Sequence, residues 1–334
     1  MGDNAKFIVI VLIINLYIMN KKIIFALALA TTVFFSCKDK TKDPEPTTNT
    51  VAEWSSTVKT SDMRTYLNGK APAFVSYTLN ASTGGTITND SVKVNFLAGS
   101  FANKDGSPFM GTVTLKMQTI RTIKDMIYSG VTTTASNGEL IISDGMFKLE
   151  AYDSGKNSLK LRAGMTYSAE FPRFNSSNIA FEGIPTEGNN KIEWNEWDST
   201  GTRGQASTTI SGLNKLFTFC NLDRYMNETP LTDITISTPI GYTNLNTECF
   251  MKYSGEMASA YVPSNSTLKK FTTQGAHYKV VVGRGAKIIC FATKGGKFYY
   301  DIQTIGSIVA NQSVNITTMT ETTEANLQTI IAAF

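Results

Sequence analysis

A chain of 334 residues with 42% hydrophobic and 17% charged residues is long enough to bury a sizeable core and too apolar to be disordered throughout. Its 31 Lys and Arg against 27 Asp and Glu leave it mildly basic; three of those basic residues and one acidic residue lie in residues 1–36, so the remainder holds 28 against 26. That near-neutral balance, with lysines scattered rather than clustered, argues against a nucleic-acid partner, and a single histidine, His277, leaves almost no room for histidine chemistry or a zinc site.

The N-terminus carries two apolar runs, Phe7–Ile18 and Ile23–Phe35, and neither reaches the roughly 20 residues needed to span a bilayer. The second has secretory-signal grammar: Met19-Asn20-Lys21-Lys22 as the positive region, then an apolar stretch, then a small residue before the cut. Met19 fits an initiator, so residues 1–18 read as an upstream extension and 19–36 as the signal peptide. The cut site Phe34-Phe35-Ser36-Cys37 resembles the relaxed lipobox of bacterial lipoproteins of the Bacteroidota type, which implies lipidation of Cys37 and a membrane anchor. Acyl chains add about 0.8 kcal/mol per buried methylene, so several make a stable anchor. Cleavage there leaves 298 residues. The polar, proline-bearing stretch from Lys38 onward predicts a flexible tether over residues 37–70. Surface-exposed lipoproteins of this type carry acids just after the cysteine. Here Asp39 stands between Lys38 and Lys40, which leaves both faces of the outer membrane open as the address.

From residue 71 onward, period-2 alternation predicts half-buried strands: Ser91–Phe96, Thr112–Met117, Phe147–Ala151 and Leu159–Arg162. Turn signals fall between them at Asp105-Gly106, Asn137-Gly138 and Asp153-Ser154-Gly155. Such short strands with regular breaks predict an all-β fold: two Greek-key β-sandwich units in tandem, residues 71–200 and 201–320. The segment from Gly84-Gly85-Thr86-Ile87 through Ala98-Gly99-Ser100-Phe101, Gly111–Leu115, Ile127–Gly130 and Ser143–Phe147 resembles a recurrent β module of Bacteroidota-type lipoproteins. Its opening is also similar to the β-rich domain shared by ankyrins and netrin receptors. The resemblance implies a fold and an envelope setting, and it transfers no enzymatic residue.

In the second unit, residues 214–220, 231–237, Tyr278–Val282 and Lys287–Ala292 read as strands, the last two as central ones. Lys294-Gly295-Gly296-Lys297 predicts a tight hairpin, because two glycines supply φ > 0 at both turn positions. At the end, Leu327, Ile330, Ile331 and Phe334 recur at helical spacing after Thr322 as N-cap, predicting one amphipathic helix over 321–334.

Candidate sites are few. Cys220 closes one predicted strand and Cys249 opens another, so an exported chain would join them if the strands are neighbours; the alternative is three buried free thiols with Cys290. Trp194 and Trp197, among Asn195, Glu196 and Asp198, form either a carbohydrate-stacking platform or an interdomain core anchor. The Asp105 and Asp153 loops resemble calcium loops but lack enough oxygen ligands, and read as hairpin turns. No acid pair, G-x-S-x-G motif, catalytic residue, metal site or cofactor can be nominated. The expectation is a lipid-anchored envelope protein with a non-enzymatic role and a protein or polysaccharide partner; the alternative is a lipid-anchored hydrolase of glycans or peptides.

Overall fold

The computed structural model describes residues 52–57, 60–171, 178–186, 191–197, 209–276 and 278–334. The expected signal peptide, Cys37, residues 38–51, Asp198 and His277 lie outside them. The fold is all-β, as expected, with three short helices among the described residues: α1 (Asp62–Asn68), α2 (Ile123–Ser129) and α3 (Glu324–Ala333).

In the first half, a seven-stranded sheet runs in the spatial order Val75–Asn80, Thr112–Ile120, Ile141–Tyr152, Phe219–Tyr225, Ile179–Thr186, Lys191–Glu196, Val131–Ala135. Every neighbour pair is antiparallel except the last. A four-stranded sheet holds Thr209–Leu213, Tyr167–Glu170, Val92–Phe96 and Gly85–Asn89. Alternation makes the layer: Val92, Val94 and Phe96 are buried while Lys93 and Asn95 are exposed. The buried set packs with Leu115, Met117, Phe147 and Leu149 from the larger sheet. Burying such side chains contributes roughly 1.5–3 kcal/mol each.

In the second half, a five-stranded sheet (Ser259–Val262, Thr247–Tyr253, Ala286–Lys294, Lys297–Ile305, Thr320–Thr322) faces a four-stranded one (Ser264–Asn265, Lys270–Thr272, Ile234–Ser237, Gln312–Asn315). Ile234, Ile236, Met251, Phe271 and Ile288 fill the space between. The five-stranded sheet is covered on its other face too. There Phe250, Ile289 and Phe291 meet Met63 and Leu67 of α1, Ile127 of α2 and Leu327 and Ile331 of α3. Hence the near-continuous apolar reading of 286–292: a strand covered on both faces needs no wet positions.

Several expectations need correction. The boundary at 200/201 is misplaced, because Thr209–Leu213 and Phe219–Tyr225 pair within the first-half sheets. The flexible tether expected over 37–70 does not extend through 61–68: Ser61 caps α1 by accepting from the Arg64 amide at 2.9 Å, and Met63 and Leu67 are fully buried. Within the module-like segment, residues 123–129 are helical, opened by a capping box between Thr122 and Asp125. Tyr278–Val282 is no central strand; only Val280–Val281 pairs, with Leu231–Thr232. The strand expected at 214 starts at Phe219, since Phe217 takes φ 64 and breaks the extended run. Thr323, not Thr322, caps α3, because Thr322 ends a strand paired to Phe298. The glycine hairpin forms as predicted, with Lys294 opposite Lys297 and Gly295 and Gly296 at φ 57 and 74.

The halves are not separate beads. Leu140, Ile142 and Met226 enter the second-half core. The Thr133 hydroxyl donates to the Ser259 carbonyl at 2.9 Å and accepts from its amide at 2.8 Å, joining edge strand to edge strand.

Candidate functional site: a polar cleft between the halves

The tryptophans are structural. Trp194 is fully buried, its indole N–H bonded to the Thr132 carbonyl at 2.5 Å and its ring edge-on to Phe219. Gly183 makes room for it: a Cβ there would stand 3.0 Å from the indole. Trp197 is 5% exposed and donates to Asn214 Oδ1 at 3.2 Å in a different cluster. Neither ring face is open to a sugar, so the platform expectation is withdrawn.

The cysteine pairing is also corrected. Cys249 bonds Cys290, directly opposite it on the neighbouring antiparallel strand, with Cα atoms 4.3 Å apart. Cys220 lies in the first-half core as a buried free thiol, and burial pushes its pKa up. Strand spacing along the chain cannot reveal which strands become neighbours.

The Asp105 and Asp153 loops are turns whose carboxylates are occupied locally. Asp105 accepts from the Ser107 amide and hydroxyl at 2.9 and 2.7 Å, and Asp153 from Asn157 at 2.7 and 2.9 Å. These bonds favour the charged form and lower both pKa values.

A cleft of about 340 Å³ opens beside the junction. One wall comes from the edge strand Val131–Ala135, where Thr132 and Thr134, two residues apart, share a face. Beside them stands Glu193 from the adjoining strand, and across from them Tyr261, Asn265 and Gln274 of the second half. The Tyr278 hydroxyl donates to the Tyr261 carbonyl, fixing the floor. Burial, with the Glu248 carboxylate that its hydroxyl bonds, drives the Tyr261 phenol pKa up and keeps it neutral, so Tyr261 gives the cleft its backbone and ring edge. Among the described lining residues, Glu193 is the one charged group and the rest is mainly hydroxyl, amide and aromatic surface. Such a wall can hydrogen-bond a neutral polar ligand; it offers little to an anion or a long apolar chain. A smaller hollow of about 190 Å³ includes Glu139, Glu228 and Lys279; there Glu228 accepts from Arg284 Nε at 2.7 Å, with Arg284 Nη2 on its other oxygen.

A buried charge set ties α1 to the body. Arg64, 6% exposed, donates from Nη2 to the Ile127 and Tyr128 carbonyls at the C-terminal end of α2, at 2.6 and 2.8 Å. Burial lowers its pKa and the charge of Glu248 opposes that shift. Glu248, 4% exposed, accepts from Ser61 Oγ at 2.5 Å. The composition could not have shown these contacts, since each spans more than 60 residues.

No family model matches this sequence, and no curated protein sequence does. Among the described residues no three His, Cys, Asp or Glu side chains gather as a metal cluster, and no helix is long and apolar enough to cross a membrane.

Proposed function

We propose that this chain is a cell-envelope lipoprotein of the Bacteroidota type, cut before Cys37 and held in the outer membrane by lipid on that cysteine. Its β body acts as a non-enzymatic binding module for a polysaccharide or protein partner. The observation that carries the binding role is the junction cleft: a concave wall of neutral hydrogen-bonding side chains between two packed halves. Its hydroxyl and amide lining suits the hydroxyls of a polysaccharide better than an apolar protein anchor. The Cys249–Cys290 bond supports an exported chain, because such bonds persist in oxidising compartments. A hydrolase of glycans would need two carboxylates about the scissile bond, and the described lining supplies Glu193.

Two measurements test this reading. Metabolic labelling with an alkyne fatty acid should tag the wild-type protein and not Cys37→Ala. In a glycan-binding screen, Gln274→Ala, at an exposed lining position, should lower affinity for any bound polysaccharide at least tenfold while the thermal melt is retained. Turnover of the bound glycan by the wild-type protein would refute the non-enzymatic reading.

A further inference from the structure

The chain enters the second half at one end of its sheets. Ser55 exchanges two bonds with Asn244: its amide donates to Oδ1 at 3.0 Å and its carbonyl accepts from Nδ2 at 2.8 Å. Asn244 belongs to the loop 238–246, which leaves the strand Ile234–Ser237 and leads into Thr247–Tyr253. Two turns share that end. Ile236 faces Phe271 and Asn265 faces Lys270, which places the turn 266–269 there. Thr247 faces Ala292 and Lys294 faces Lys297, which places the glycine hairpin there too. The loop is held by its own bonds. Thr238 Oγ1 donates to the Tyr242 carbonyl at 2.7 Å, and Asn246 donates to the Gly241 carbonyl at 2.9 Å while accepting from the Thr243 amide at 2.9 Å. Between these bonds Ile240 stands 86% exposed, the most open large apolar side chain among the described residues. One exposed isoleucine means little by itself. Here Leu268 is also exposed at the neighbouring turn, and lysines stand at both tips: Lys269 in that turn, and Lys294 at the hairpin with its ammonium 4.9 Å from the centre of the Tyr242 ring. Lys297 is paired with Glu321 at 2.9 Å, while Glu53 and Asp62 belong to the entry segment and to the start of α1. At the opposite end of the same sheets Val309 is exposed as well, but there Lys279 is paired with Asp233, and Arg284 with Glu228 and Glu256.

We propose that this end of the body rests on an anionic lipid surface, with Ile240 and Leu268 entering the headgroup boundary and Lys269 and Lys294 set against lipid phosphates. The inference rests on the reading that Cys37 carries lipid. Ser55 follows Cys37 by 18 residues, at most about 65 Å of fully extended chain. The entry end is therefore the part of the body that an anchor on Cys37 brings to the bilayer with the least chain. Its side chains match what a bilayer surface offers: apolar groups gain by leaving water at the headgroup boundary, and lysines are drawn to anionic headgroups. A loop fixed by side-chain bonds presents Ile240 without an ordering cost on contact. Contact there would set the body upright on its anchor and leave the junction cleft open to its ligand.

The test uses the lipidated protein reconstituted into vesicles of phosphatidylcholine and phosphatidylglycerol. Ile240→Cys and Val309→Cys are each labelled with nitrobenzoxadiazole; Cys220 is buried and stays unlabelled in the native protein. Spin-labelled lipid should quench the label at position 240 about twofold and leave the label at 309 unchanged. Lys269→Glu/Lys294→Glu, or vesicles of phosphatidylcholine alone, should remove most of that quenching while the protein still floats with the vesicles. Flotation with position 240 unquenched, equal quenching at 240 and 309, or quenching indifferent to the charge reversal would overturn this inference and leave the lipid anchor standing. A wild-type chain that fails to float would overturn the anchor, and this inference would fall with it.

Discussion

Replacing Arg64 with methionine keeps the apolar stem and removes the guanidinium, which isolates what the charge contributes. Two charge-assisted bonds to the α2 carbonyls, at 2.6 and 2.8 Å, are lost. Hydrogen bonds to charged groups contribute about 1.5–3 kcal/mol each. The last carbonyls of a helix have no intrahelical partner and carry its negative dipole end, so their loss of a cation is felt in full. Glu248, 4% exposed, is left without the nearby positive charge, and breaking a buried pair from one side costs about 3–5 kcal/mol. These effects overlap, so we expect a total loss of about 3–5 kcal/mol. Urea denaturation read by tryptophan fluorescence should show the midpoint falling with m unchanged. The double variant Arg64→Met/Glu248→Gln should lose less than the sum of its singles, by about 0.5–3 kcal/mol. A single-variant loss below about 1 kcal/mol, or additivity of the pair, would refute this role for Arg64.

The Arg284 guanidinium holds the Glu228 carboxyl below its usual value of 4.5. The native state therefore resists protonation more than the unfolded chain: the stabilisation is full above 4.5 and fades as pH falls through the lowered native value. Glu228→Gln should flatten the acid limb of a stability–pH profile, and an unchanged limb would count against it. Asp223 has the opposite sign, since burial raises it well above 3.8. Its native state holds the proton longer, so stability should decline as pH rises from about that value, and Asp223→Asn should remove the decline. Gly183→Ala would set a Cβ 2.6 Å from Ile192 Cγ2 and 2.8 Å from Phe219 Cβ; overpacking of that kind costs about 1–3 kcal/mol, with a shift in Trp194 emission as the local marker. Cys249→Ala/Cys290→Ala opens a link with a sequence separation of 41. Loop-closure entropy predicts a loss of roughly 4 kcal/mol, while a thiol assay on the denatured, unreduced wild type should find Cys220 reactive and the other two silent.

What could be read along the chain was local. The alternation of Val92–Phe96, the glycine hairpin at Lys294–Lys297 and the Leu327-Ile330-Ile331-Phe334 stripe each depend on neighbours within a turn or a few strand residues. Two helices were also legible and were read otherwise. Thr122-x-x-Asp125 is a capping box, and Ser61 with Met63 and Leu67 is a capped apolar pair at helical spacing. Beta periodicity on either side drew the second segment into the wrong class, and the polar, proline-bearing stretch before the first drew it into the tether.

Pairing was not local. Whether Cys249 meets Cys220 or Cys290, and whether 209–225 joins the first or second half, depends on strand order, and hydrophobic alternation is the same in every order. The acids show the same division. In sequence, the Asp105 and Asp153 loops are the cation-like ones, yet their own turns saturate them. Asp223 reads as an ordinary strand residue until a bulge from one strand and the start of another close over it and bury its carboxylate. The sequence by itself determined the strand-forming periods, the turn positions and the single terminal helix, because backbone sterics and face-to-face alternation act over a few residues. Only the tertiary structure decided which tryptophans are core, which cysteines bond and which carboxylate is buried. Desolvation and pairing depend on what arrives from elsewhere in the chain.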